Sequence, residues 1–129
     1  MPDPDLPHVL ITEDDADLRA TLLEVLGCEG YVAVAVDSIE LARAQLGRFP
    51  FSVLLLDSGL VGSSGLDWLL GFAEGHDAPR TIILSGSHEA ARLGERFNVK
   101  VLAKPFDIEA LLEEIQRVTQ SNARPSSGG

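Results

Sequence analysis

Short apolar runs alternate along the chain with segments in which apolar residues recur at helical spacing. Three of the runs are nearly continuous in valine, isoleucine and leucine, which is typical of strands buried on both faces of a parallel sheet. The runs predict five strands, at residues 8–12, 31–36, 52–56, 80–84 and 100–103.

Amphipathic patterns between these runs predict the helices. Ser38 and Ser64 are suitable helix N-caps, and Asp107 precedes the most regular apolar stripe in the chain. The segment 87–97 is a shorter and weaker helix pattern. The first helix, which follows Asp14 and Asp15, is predicted from the spacing of Leu18, Leu22, Val25 and Leu26.

The regular alternation of strands and helices predicts an α/β fold. Right-handed crossovers between parallel strands give an open sheet that is covered by helices on both faces. In such sheets ligands bind at the carboxyl ends of the strands, near the point where the strand order reverses. The residues that follow each strand are therefore the candidates for chemistry.

The first, third, fourth and fifth predicted strands are followed by polar side chains that are candidates for chemistry. We expect them to meet at one edge of the sheet, although each has a simpler explanation as a helix cap, a turn residue or a solvated surface side chain. The candidates are Glu13, Asp14 and Asp15 after the first strand, Asp57 after the third, Ser85 after the fourth and Lys104 after the fifth.

Together these groups form a plausible site for phosphoryl chemistry. Converging carboxylates repel one another, and Mg²⁺, which prefers oxygen ligands, would relieve that repulsion. Asp57 would then be available as a nucleophile, because carboxylates form acyl phosphates. Lys104 would add positive charge, and the Ser85 hydroxyl could donate to a phosphoryl oxygen.

The bulk composition narrows the functional class. The chain has 129 residues, a net charge of −10 and one cysteine, Cys28. One domain is expected, with residues 1–7 as a disordered segment, 8–120 as the folded unit and 121–129 as a flexible tail or linker.

The acidic charge argues against direct nucleic-acid binding by this domain, and no apolar run is long enough to span a membrane. The N-terminal segment is unlike a signal peptide, so we expect a cytoplasmic protein.

Four segments of the sequence resemble, in order, the signature segments of response-regulator receiver domains of two-component signalling systems. The resemblance covers roughly residues 8–118. Its segments are HVLITEDDADLRATL, VLLLDSGLVGSSGLDWL, TIILSGS and VLAKPFDIEALL.

This resemblance implies specific roles for the candidate residues. Glu13 and Asp14 match the acidic pair that binds Mg²⁺, and Asp57 matches the phosphoacceptor, with the backbone carbonyl of Gly59 completing the metal site. Ser85 and Lys104 match the hydroxyl and the lysine that contact the phosphoryl group. The Lys104–Pro105 peptide bond would be cis.

The resemblance also implies a fold and partners. The fold would be a three-layer α/β/α, flavodoxin-like, doubly wound sheet of five parallel strands in the order 2-1-3-4-5. The phosphodonor would be a phosphohistidine on a sensor histidine kinase or a histidine phosphotransfer protein. The domain would be a signalling phosphoacceptor rather than an enzyme, capable at most of self-phosphorylation and slow autodephosphorylation. A homodimer through the face of the fourth and fifth helices is a further expectation.

Several positions depart from the family pattern. Glu13 replaces the more usual aspartate, Val61 a common proline and Val101 a common aromatic residue. The stretch from Ser85 to Lys104 is about three residues shorter than in the family. This departure, like that at Val101, puts in question the conformational change by which the family usually passes phosphorylation on to its output face. The alternative is therefore a degenerate receiver that acts as a phosphorylation-independent docking module. A Mg²⁺-dependent phosphohydrolase ranks last, because Ser58 and Gly59 supply no second catalytic acid.

Overall fold

Five parallel strands form the centre of the fold. The computed structural model describes residues 8–60, 80–86 and 99–123. The strands are β1 (His8–Thr12), β2 (Val32–Val36), β3 (Val53–Asp57), β4 (Arg80–Ser85) and β5 (Lys100–Ala103).

Three helices accompany these strands in the described residues. They are α1 (Ala16–Cys28), α2 (Ile39–Arg48) and α3 (Ile108–Ala123). Asp15 caps α1, since its carboxylate accepts hydrogen bonds from the next turn, and Ser38 caps α2 by accepting from Leu41 N–H at 3.1 Å. The helices predicted after Ser64 and over 87–97 lie outside the described residues.

The sheet has the order β2-β1-β3-β4-β5, with every neighbouring pair parallel. This confirms the doubly wound, flavodoxin-like topology. β3 and β4 each extend one residue beyond the predicted end, because Asp57 pairs with Leu84 and Ser85 pairs with Ala103 in the parallel ladders. Two of the predicted site residues are therefore held by the sheet itself.

The hydrophobic core lies on both faces of the sheet, which gives the three layers. Val9 and Ile11 of β1 pack on one face with residues of α1 and α3, while Leu10 packs on the other face with Ala42 of α2. This alternation follows from the period-2 direction of side chains along a strand. Among the described residues, no helix combines the length and apolarity needed to cross a membrane.

Candidate functional site

Glu13 lies directly beyond β1 and is fully buried. Its backbone N–H donates to the carbonyl oxygen of Val36 at 3.1 Å, which continues the β1–β2 ladder past the end of the strand. On the other side, Arg19 of α1 reaches back and donates from Nη1 to the Glu13 carbonyl oxygen at 2.9 Å. The same guanidinium nitrogen lies 3.5 Å from the carbonyl oxygen of Asp14. The backbone that carries the acidic pair is thus held from two directions.

Asp57 is the last residue of β3 and is only 6% exposed. Its Oδ1 accepts a hydrogen bond from Gly59 N–H at 3.1 Å, the pattern of a helix N-cap, and residues 58–60 are helical. Gly59 lies so close that a Cβ at this position would be 3.6 Å from Asp57 Oδ1. The carboxylate is therefore held against the first residues of the segment that follows it.

Lys104 brings a cation from beyond β5 to both carboxylates. Its Nζ lies 2.9 and 3.2 Å from the two carboxylate oxygens of Glu13, and 3.4 Å from Oδ1 of Asp57. The lysine backbone is fixed as well, because its N–H donates to the carbonyl oxygen of Ser85 at 2.7 Å. The Lys104–Pro105 bond is cis, as the resemblance implied.

Glu13, Asp14 and Asp57 form an acidic cluster in which one carboxylate oxygen from each lies within 4.8 Å of the others. Within the part of the chain that the structure describes, one ammonium, that of Lys104, contacts the cluster, and it cannot balance three ionised carboxylates. Hard oxygen donors at this spacing suit Mg²⁺, which needs few protein ligands and keeps several waters. The residues present therefore fit a magnesium ion.

Burial and neighbouring charges shift the pKa values of the three central groups. Burial raises the pKa of Glu13 above its ordinary value, against the opposing effect of the Lys104 ammonium. Burial alone would also raise the pKa of Asp57, but hydrogen bonds with Gly59, Glu13 and Asp14 and the charge of Lys104 lower it below its ordinary value. Of the two buried carboxylates, Glu13 and Asp57, it is therefore Asp57 whose ionised form the site favours.

The pKa of Lys104 moves in the complementary direction. Burial alone would lower it, yet the contacts with Glu13 and Asp57 outweigh burial and raise the pKa above its ordinary value. The lysine therefore remains a full positive charge across the neutral pH range.

Ser85 ends β4 on the other side of Asp57 and is buried. The hydroxyl of Ser58 donates to Ser85 Oγ at 2.7 Å. The sheet register explains the contact, since Asp57 pairs with Leu84 and the next residue of each chain segment follows in step.

The structure thus brings together the side chains that the sequence placed at the ends of β1, β3 and β5, with Ser85 on the neighbouring strand. Asp15 is directed to its own helix, because its carboxylate accepts from Asp17 N–H and Leu18 N–H. Sequence reasoning missed two contributors, Arg19 and Ser58. The position of Ser58 between Asp57 and Gly59 could have identified it as part of the site. No feature of the sequence singles out Arg19 beyond its charge on the first turns of α1.

Comparison with known proteins agrees with this geometry. The family model of the response regulator receiver domain matches residues 9–116. The response regulator protein FleR of Pseudomonas aeruginosa is 34% identical over 116 residues, which cover 84% of this chain and 24% of FleR. The response regulator receiver protein CpdR of Brucella abortus is 29% identical over 128 residues, which cover 88% of this chain and 97% of CpdR. The chain thus spans about a quarter of FleR and nearly all of CpdR.

Solved structures share the architecture. A sensor protein from Polaromonas sp. JS666 superposes with a TM-score of 0.77 at 24% identity, covering 91% of this chain and 98% of that protein. At this identity the likeness concerns the fold. The match of the family model over most of the chain, together with the strand order and the acidic cluster, shows that this chain belongs to the response-regulator receiver domain family.

Proposed function

We propose that this receiver domain accepts a phosphoryl group from a phosphohistidine onto Asp57, in the presence of Mg²⁺. The observation that carries the proposal is the state of Asp57 itself. It is a buried carboxylate whose pKa is nevertheless lowered, and it lies 3.4 Å from the ammonium of Lys104. A carboxylate held ionised beside positive charge is suited to attack an electrophilic phosphorus.

The reaction exchanges one bond to phosphorus for another. A carboxylate oxygen of Asp57 forms a P–O bond while the N–P bond of the phosphohistidine breaks. The leaving imidazole keeps the electron pair of that bond and takes a proton to become neutral histidine. The product is an acyl phosphate, and its later attack by water would return Asp57 and inorganic phosphate.

The remaining groups stabilise charge on the transferred phosphoryl group. The carboxylates of Glu13, Asp14 and Asp57 and the backbone carbonyl of Gly59 would hold Mg²⁺, which would neutralise phosphoryl oxygens when bound. Lys104 contributes a fixed ammonium, and Ser85 contributes a hydroxyl donor. Because Lys104 already contacts both buried carboxylates, its charge is available at the site before a donor arrives.

Receiver domains are signalling modules rather than classical enzymes, and the donor proposed here is a sensor histidine kinase or a histidine phosphotransfer protein. We propose residues 8–120 as the unit that such a donor recognises, in the cytoplasm. The proposed homodimer face includes residues 87–97, which lie outside the described residues. The acidic charge of the chain supports a role without direct nucleic-acid contact.

The docking-module alternative requires a site that no longer supports phosphorylation. The groups that phosphorylation needs are present, and the two buried carboxylates among them, Glu13 and Asp57, contact one lysine. Burying charged groups costs free energy of folding, and a module that only docks would gain nothing in return. This arrangement supports the phosphoacceptor over the docking module.

Intact-protein mass spectrometry after incubation with acetyl phosphate and Mg²⁺ tests the proposal. We expect a gain of one phosphoryl group in the wild-type protein, no gain in Asp57→Asn, and no gain when EDTA removes Mg²⁺. Incubation with a phosphorylated histidine phosphotransfer protein serves as a second donor. Labelling of Asp57→Asn equal to that of the wild type would contradict the proposal.

A further inference from the structure

Ser58 is placed to act on the proposed site through Ser85. We propose that Ser58 is a positioning residue, whose hydroxyl orients the hydroxyl of Ser85 as a donor to the phosphoryl group on Asp57. The inference rests on the proposed function and adds to it a residue that contacts neither the phosphoryl group nor the metal.

The sheet brings the two serines together and leaves Ser85 little freedom other than its hydroxyl. Ser85 is 1% exposed, and its backbone carbonyl accepts from the N–H of Lys104 at 2.7 Å, which fixes this residue against the end of β5. What can still change at Ser85 is the rotation of its side chain among the staggered rotamers. A hydrogen bond of 2.7 Å from Ser58 selects among those positions.

The number of protons decides what the contact can do. A hydroxyl has one proton to donate and two lone pairs that accept. With Ser58 as the donor, this contact uses one lone pair of Ser85 and lets the proton of Ser85 turn to a phosphoryl oxygen when one is present. A phosphoryl oxygen is a charged acceptor and would bind that proton strongly. Ser58, Ser85 and the phosphoryl group then form a chain in which each hydrogen bond polarises the next.

Ser58 is itself held in place by its neighbours. It lies between Asp57, the last residue of β3, and Gly59, whose N–H donates to Asp57 Oδ1 at 3.1 Å. The cap that holds the acceptor carboxylate therefore also fixes the backbone of Ser58. The arrangement links the phosphoacceptor to the hydroxyl donor on the adjacent strand.

Binding of beryllium fluoride in the presence of Mg²⁺, measured by isothermal titration calorimetry, tests this role. Beryllium fluoride forms an adduct on a carboxylate that resembles a phosphoryl group. We expect Ser58→Ala to bind it roughly threefold to tenfold more weakly than the wild type, as expected for loss of one supporting hydrogen bond. Ser58→Thr, which keeps the hydroxyl, should restore most of the affinity.

Two controls separate positioning from a general structural effect. Ser52→Ala removes a hydroxyl near the opposite end of β3 and should leave the affinity unchanged. In a Ser85→Ala background, Ser58→Ala should cause no further loss, because the group through which it acts is gone. Thermal unfolding of each variant checks that it is folded at the temperature at which binding is measured.

The outcomes distinguish this inference from the proposed function. A wild-type protein that binds beryllium fluoride, with Ser58→Ala binding equally or more tightly, would overturn the role of Ser58 and leave the phosphoacceptor intact. The role would also be overturned if Ser58→Ala lowered the affinity for beryllium fluoride by the same factor in the wild-type and Ser85→Ala backgrounds. A wild-type protein that binds none, and that acetyl phosphate does not label, would overturn the proposed function and this inference together.

Discussion

The two lysines that bracket β5 lie in clusters of opposite character. Lys100, at the start of the strand, contacts Glu114 at 3.5 Å, and Arg117 contacts the same carboxylate at 3.3 Å. Lys104, just beyond its end, contacts Glu13 and Asp57. The side chains of Lys100 and Arg117 are 48% and 70% exposed, whereas that of Lys104 is 26% exposed and that of Glu13 fully buried.

The difference lies in charge balance as much as in burial. Around Glu114, two exposed cations surround one largely buried carboxylate, so its charge is balanced without a further ion. Around Lys104, two buried carboxylates contact one ammonium and the exposed carboxylate of Asp14 lies beside them, so within the described residues negative charge is in excess when all three are ionised. The first cluster is balanced by cations that reach into solvent, and the second has the charge of a site that binds cations.

Replacement of the two lysines should separate these clusters most clearly. Lys104→Met leaves Glu13 and Asp57 without their cation, and we expect it to lower the free energy of unfolding by about 1–3 kcal/mol. Lys100→Met breaks an exposed pair and should change it by less than about 0.5 kcal/mol. Urea unfolding at pH 7 in EDTA measures both. Equal losses for the two variants would contradict the comparison.

Addition of Mg²⁺ should stabilise the site and leave the surface cluster unaffected. At ten times its dissociation constant, a ligand that binds only the folded protein adds about 1.4 kcal/mol to the free energy of unfolding. We expect this gain in the wild type and in Glu114→Gln. It should be largely lost in Glu13→Gln and Asp14→Asn. A gain that persists in both acidic-pair variants would place the ion elsewhere.

The pH dependence of stability should report the raised pKa of Glu13. Its folded-state pKa lies above the ordinary value of 4.5, so the folded protein holds this proton more tightly than the unfolded chain. Stability from this group is therefore present at low pH and is lost as the pH rises through the folded-state pKa. In EDTA, the wild type should lose stability relative to Glu13→Gln over that interval, as measured by urea unfolding at several pH values. A constant difference between the two proteins would refute this assignment.

The smallest expected effect concerns the surface cluster itself. Glu114→Gln weakens contacts with two cations, Lys100 and Arg117, that are themselves exposed to solvent, and the free energy of unfolding should change by less than about 0.5 kcal/mol. Phosphorylation by acetyl phosphate should proceed at the wild-type rate. A marked loss of labelling in this variant would mean that the two ends of β5 are coupled.

The sequence predicts the layout of the fold well because its signals are local. Each apolar run becomes a strand within one residue of the predicted bounds, and Ser38 caps its helix as expected. The ends of β3 and β4 were set one residue early, because polar side chains at Asp57 and Ser85 resemble the start of a turn. Pairing with the neighbouring strand, which depends on residues distant in the chain, keeps both in the sheet.

The candidate site could be predicted as a set of residues but not as a set of contacts. Strand ends identify which side chains share an edge of the sheet, and the resemblance suggests their roles. The pairing of Lys104 with Glu13 joins residues 91 positions apart and depends on side-chain rotamers. The contact of Ser58 with Ser85 depends in addition on the backbone of residues 58–60, which is helical directly after β3.

The most direct test of the central claim is to locate the phosphorylated residue chemically. Borohydride reduces an aspartyl phosphate to homoserine, which tandem mass spectrometry of the digested protein assigns to one position. After incubation with acetyl phosphate and Mg²⁺, homoserine should occur at position 57 alone and should be absent when EDTA is present. Reduction at position 14 or 15 instead, with Asp57 unchanged, would contradict the account.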